Sequence, residues 1–176
     1  MALGLSARRL ASAALAVSTG AAAWVAGAGP AAAAPRCDLA TVYRISNVSG
    51  FHIRARNLPV LKDGPGGTME ASVDTATTAP ATISAGASAE LSGVIASAKV
   101  EVSSSLTRSV SVSIGHRYTH KIRAKRYGHL QYGSWGKKLT WRKYRYNANC
   151  TTTLLRSGTA KIPTRQVGWK YWETSS

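Results

Sequence analysis

Acidic residues are scarce in this chain. Seven Asp and Glu stand against 23 Lys and Arg in 176 residues, for a formal net charge of +16 at pH 7. The C-terminal part therefore lacks paired carboxylates for general acid–base work. Only two cysteines occur, Cys37 and Cys150, with no CxxC or Cys/His spacing, which argues against a cysteine-ligated metal. There is no Gly-x-Ser-x-Gly and no phosphate loop with its Lys; Gly64-Pro65-Gly66-Gly67 reads as a turn. No aromatic residue lies between Phe51 and Tyr118, so that stretch holds no aromatic girdle of the kind that marks membrane barrels.

Those first residues read as an export signal. Arg8-Arg9 opens a charged start, Leu10 to Ala26 is uncharged and mostly apolar, and Ala31-Ala32-Ala33 is a small-residue cleavage signature. The expectation is a signal peptide over 1–33 and a secreted mature domain over 34–176. Ser6-Ala7-Arg8-Arg9-Leu10 matches a twin-arginine signal only in part, which leaves the export route open. The Ala-rich leader resembles those of actinobacterial secreted proteins. In an oxidising exterior Cys37 and Cys150 are expected to form one disulfide. Closing a loop of more than a hundred residues is worth about 4–5 kcal/mol in the chain-entropy model.

From Ala71 to Ile122 the sequence alternates with period two. Even positions from Ala98 to Ile122 are mostly apolar (Val100, Val102, Leu106, Val110, Val112, Ile114), while odd ones are polar or Gly. Upstream the phase is opposite: Val73, Ala79, Ala81, Ile83, Ala85, Ala87, Ala89 and Leu91 fall on odd numbers. The phase changes across Ser92 to Ser97, whose centre is apolar. Such alternation gives each strand one apolar and one polar face, and predicts a long amphipathic hairpin with Gly93, Val94, Ile95 and Ala96 at its tip. Two other readings fit the same residues: ordinary bent strands of a sandwich, or an Ala-rich helix over Ser84–Lys99. That helix would place Ala87, Leu91, Val94, Ile95 and Ala98 on one stripe.

The Ser/Thr-rich strand pair from Ile83 to Ile114, around its apolar tip, resembles the insertion region of aerolysin-like β-pore-forming proteins. The segment His120-Lys121-Ile122-Arg123-Ala124 is similar to the place where that family's stem rejoins its core. The resemblance implies a non-enzymatic toxin that inserts a β-hairpin into a membrane and assembles with copies of itself. It covers about a third of the chain and implies no catalytic residues.

Charge and aromatics concentrate after His116. Fourteen Lys and Arg face a single acid there, Glu173, beside ten Tyr and Trp. Gly133-Ser134-Trp135-Gly136 reads as a turn between strands 126–132 and 138–146, and Ser157-Gly158 as another, with Pro163 ending the strand that follows. Basic residues interleaved with rings suit an anionic polymer or headgroup boundary. The candidate binding residues are Lys137, Lys138, Trp141, Arg142, Lys143, Tyr144, Arg145, Lys170 and Trp172.

The expected fold class is thus all-β: a single small domain with a long hairpin over 71–122, basic aromatic strands over 123–176, and one disulfide. The expected function is non-enzymatic binding of an anionic membrane or cell-wall polymer, with insertion or assembly through the hairpin. Partners would be that surface and a second copy or another secreted protein, with nucleic acid behind them; no cofactor or metal is expected. One alternative is an adaptor subunit of a secreted particle that pairs strands with its partner. Another is a basic secreted ribonuclease using Glu101 with His116 or His120. His116 and His120 have helical metal-ligand spacing, yet in a strand they would stand about 13 Å apart.

Overall fold

The computed structural model describes residues 38–112 and 114–175. The proposed leader and Cys37 lie outside them. Among the described residues nine strands and one short α-helix follow in order: β1 (Thr41–Arg54), β2 (Leu61–Asp63), β3 (Gly67–Ala71), β4 (Thr77–Pro80), β5 (Thr82–Ile83), α1 (Leu91–Glu101), β6 (Ser109–Val112), β7 (Tyr118–Ile122), β8 (Tyr127–Tyr146) and β9 (Thr152–Thr174). The described residues are mostly β, and α1 departs from the all-β expectation.

The frame is a sheet ordered β1-β8-β9-β5, with β2 also paired to β8. Strands β8 and β9 are 20 and 23 residues long, and both run straight through the expected turns. Their glycines serve close approach instead. A Cβ on Gly133 would overlap the Ile53 carbonyl, one on Gly136 the Ile162 carbonyl, and one on Gly158 the Ser84 hydroxyl. Pro163 lies inside β9 beside a register shift, where a missing N–H is tolerated.

The tract 71–122 is half a hairpin. Strand β3 pairs antiparallel with β7, and β4 with β6. Residue 67 faces 122, 71 faces 118, 77 faces 112 and 80 faces 109, so both ladders hold one register in which partner numbers sum to 189. Ala81 N–H donates to the Arg108 carbonyl at 2.7 Å, again a pair of that register. There the legs part. Thr82 and Ile83 pair with β9 as β5, and the chain then coils through a 3₁₀ turn at Ser88–Glu90 into α1.

The expected apolar tip is therefore not a projecting turn. Gly93, Val94, Ile95 and Ala96 all lie on α1, with Val94 and Ile95 buried. They pack with Ala87, Ala98, Leu106, Leu139, Trp141, Ala160 and Ile162. The alternative helical stripe is the one the fold buries, because the sheet beneath α1 presents an apolar face that outweighs period two. Gly93 is needed for that contact, since a Cβ there would overlap the Tyr43 ring. Two smaller clusters sit under the ribbon: Ala55, Val73, Val112 and Tyr132 in one, Met69, Ile122 and Leu130 in the other.

The helix is weakly founded by itself. Eleven residues are marginal in water, and its start carries no side-chain cap. Its interior mixes Ala96, Ala98 and Lys99, which favour a helix, with Ser92, Gly93, Val94, Ile95, Ser97 and Val100, of modest or low propensity. Val100 is 88% exposed on its outer surface.

Candidate functional site

A cluster of polar contacts pins α1 to the sheet. Glu90, just before α1, accepts a hydrogen bond from the Tyr43 hydroxyl on β1. Lys143 Nζ on β8 lies 2.9 Å from Glu90 Oε2, and Arg156 on β9 lies 3.9 Å from Oε1. These hydrogen bonds, Tyr43's first and Lys143's next, hold the Glu90 carboxyl below its ordinary range. The same contact with Glu90 raises Lys143, and burial, followed by the Glu90 bond, raises Tyr43. Lys143 is thus a structural cation, committed to an internal partner.

Trp141 is likewise not a surface ligand. It is completely buried under α1, in the largest core cluster. Period two turns it inward while Lys138, Arg142 and Tyr144 take the opposite face. On that face Arg142 stands directly across from Arg44, and Lys138 directly across from Lys161. Like charges in facing positions repel, and none of these four has an ion-pair partner among the described residues. The Arg44 guanidinium sits 5.2 Å from the Tyr144 ring centroid. Arg145 is exposed on the side shared with Lys143. The nine expected binding residues are therefore divided between faces and the core.

A second concentration lies farther along β8. Lys137 and Lys170 line a cleft with Phe51, His52 and Trp135, and Trp172 is nearby, stacked on His129 at 5.2 Å with Lys170 above it at 5.4 Å. Arg44, Phe51, Trp135 and Lys161 were not singled out from the sequence. Trp135 was hidden because Gly-Ser-Trp-Gly resembles turn chemistry. Arg44 and Lys161 gain meaning only from cross-strand register.

The nuclease constellation is not assembled. Glu101 accepts from the Ile45 backbone N–H at 3.2 Å, whereas the His120 ring lies 3.9 Å from Tyr171. Ile45 faces Trp141, which faces Gly158, thirteen residues from Tyr171 along β9. At the rise of a strand, that separation is roughly 40 Å. His116 packs edge-on to Tyr132 instead. Among the described residues no three His, Cys, Asp or Glu gather where they could hold a metal, and no helix is long and apolar enough to cross a membrane. No protein-family model and no curated protein matches the chain, so the geometry must carry the functional argument.

Proposed function

We propose that this is an exported, non-enzymatic protein that meets an anionic surface through its basic sheet face and then assembles, or inserts, by zipping residues 82–107 onto the existing ribbon. The observation that carries the reading is the shared register of the two ladders. Continued past Ala81 and Arg108, that register ends in a turn at Val94-Ile95. It would place Ile83 opposite Leu106, Ala87 opposite Val102, Ala89 opposite Val100 and Leu91 opposite Ala98, all on one face. The other face would pair Thr82 with Thr107, Ser84 with Ser105, Glu90 with Lys99 and Ser92 with Ser97. An odd register sum joins odd positions to even ones, so the two opposite phases of the sequence become one amphipathic ribbon. Facing Glu90 and Lys99 would also be favourable.

Each added leg has thirteen residues, while about 9–11 suffice for a tilted strand to cross a bilayer. The backbone groups of such a hairpin need partners from further copies in a closed barrel. The folded helix is then a store for a hairpin, which accounts for its poor helical sequence and its exposed Val100. The Cys37–Cys150 disulfide is part of the same proposal. It would tie the start of the domain to the β8–β9 turn while the ribbon rearranges.

Dye-loaded vesicles test it. Phosphatidylserine vesicles should leak and yield heat-resistant oligomers on a gel, and neutral vesicles should not. Arg44→Glu with Arg142→Glu should weaken vesicle binding at least tenfold, since each basic group near such a surface is worth about 1 kcal/mol. Absence of both leakage and oligomers would contradict the reading. An adaptor role finds support in β1, whose outer edge ends the sheet. However, the register shift between Ser46 and Ser49, with Asn47 at φ +50°, interrupts that edge as protective bulges do.

A further inference from the structure

Where β8 passes Trp135, β9 passes Thr164, Arg165 and Gln166, and the register between the strands shifts. The bulge is pinned from inside. Ser134 is completely buried and its hydroxyl donates to the Thr164 carbonyl at 2.8 Å. The Thr164 hydroxyl donates to the Trp135 carbonyl at 2.5 Å and accepts from Gln166 N–H at 3.2 Å. Bulges re-aim side chains, often beside binding sites. Here the outcome is a Trp 43% exposed in the middle of a long strand.

Behind this ring stands a buried histidine with a defined proton. A carbonyl only accepts, so His52 Nε2 carries the hydrogen it gives to Gly168 O at 3.1 Å. Its Nδ1 then accepts from Gln131 Nε2 at 3.1 Å. Burial keeps the imidazole neutral by lowering its pKa, against the Gly168 bond and with help from Lys170. The His52 and Trp135 rings meet edge to face at 4.6 Å. Trp135 is thus held by a fixed neutral support, with its own surface left open.

The cleft at this ring has a volume of about 580 Å³, and Lys137 and Lys170 stand in its wall with the hydroxyl and amide of Thr164 and Gln166. A neighbouring cleft of about 620 Å³ shares Phe51, His52 and Lys170 and adds Arg54, Arg56 and Lys161. Neither wall contains an Asp or Glu. We infer that Trp135, Lys137 and Lys170 form a binding site for an acidic saccharide, the indole stacking on a sugar ring and the ammonium groups holding its carboxylate.

The chemistry favours a sugar acid over other polyanions. A nucleic acid strand wants successive open rings, yet Lys161 already lies 4.6 Å over Phe51 and Lys170 lies 5.4 Å from Trp172. Of Phe51 and Trp135, which line this cleft, Trp135 is the ring with no cation over it. A recess of this size accepts a sugar unit or two, whereas a flat headgroup layer cannot enter it. Lysine ammonium groups act as point charges that suit a single carboxylate. This inference shares with the proposed function only an anionic ligand, and it needs no rearrangement of α1.

Calorimetric titration of the full mature protein with tetragalacturonate reads it directly. Binding should appear, and should weaken at least tenfold when the ligand is methyl-esterified, which removes charge but keeps the ring faces. Trp135→Ala should weaken it at least tenfold, Trp135→Phe less than threefold, and Lys137→Ala with Lys170→Ala at least tenfold. The lysine variant covers the case in which Trp135→Ala fails to fold. Wild-type affinity in Trp135→Ala or the lysine variant would overturn the inference. So would equal binding of the ester, or no binding of tetragalacturonate, whether or not an oligonucleotide or phosphatidylserine vesicles bind through these residues. Vesicle leakage can fail without touching this result, because no membrane is present in the titration.

Discussion

Trp141→Ala should lower stability by about 3–5 kcal/mol, as loss of a large buried aromatic does. The same change should leave binding to anionic surfaces unaltered per folded molecule. Trp141 is completely buried and touches the underside of α1 through the cluster that includes Val94, Ile95 and Leu139. A domain of this size has a total stability of about 5–15 kcal/mol, so the loss takes a large part of it. Trp141→Phe should cost about 1–2 kcal/mol, since the buried indole N–H has no hydrogen-bond partner among the described residues and its removal strands nothing. Chemical denaturation alongside vesicle sedimentation separates the two properties. A normal stability with weakened sedimentation would return Trp141 to the surface role that the sequence suggested.

Acid should loosen α1 before it unfolds the sheet. The Glu90 carboxyl titrates below its ordinary 4.5 because Tyr43 and Lys143 hydrogen-bond to the charged form. A carboxyl lowered in the folded state adds stability that is present above 4.5 and lost as pH falls through the folded value. The groups facing it are Tyr43 from β1, Lys143 from β8 and Arg156 from β9. Glu90→Gln keeps an acceptor for Tyr43 but leaves Lys143 without its anion. It should cost about 1–3 kcal/mol, the range for hydrogen bonds to charged groups. It should also flatten the acid limb of the stability–pH curve and raise vesicle leakage at neutral pH. Unchanged stability between pH 3 and 6 in the wild type would remove this role for Glu90.

The sequence and the fold agree on more than the helix implies. Opposite alternation phases in 73–91 and 98–122 are compatible with the register that β4 and β6 adopt, since an odd partner sum joins odd positions to even ones; parity alone does not locate a turn, and Val94-Ile95 lies on α1. What the residues could not reveal was competition. Val94, Ile95 and Ala98 find a large apolar partner in Trp141, Leu139 and Ile162, which are far away in sequence. Likewise Gly133, Gly136 and Gly158 look like turn residues until β1, β9 and the Ser84 loop come close enough to forbid a Cβ. The basic surface was visible as composition, but its division between faces depends on bulges at Trp135 and near Leu155 that no local pattern announces.

A paired-cysteine measurement decides whether the helix is a stored hairpin. Ala89 and Val100 are both exposed, and along the coil they lie about 16 Å apart, beyond the ~7 Å Cα limit of a disulfide. In the extended register they become direct partners. Ala89→Cys with Val100→Cys should remain uncrosslinked in solution. On anionic vesicles, with copper phenanthroline and dissolved oxygen as the oxidant in both conditions, the two thiols should lose two electrons and two protons to form a new 89–100 disulfide, read by peptide mass mapping. Vesicles that leak without forming that bond would contradict the account.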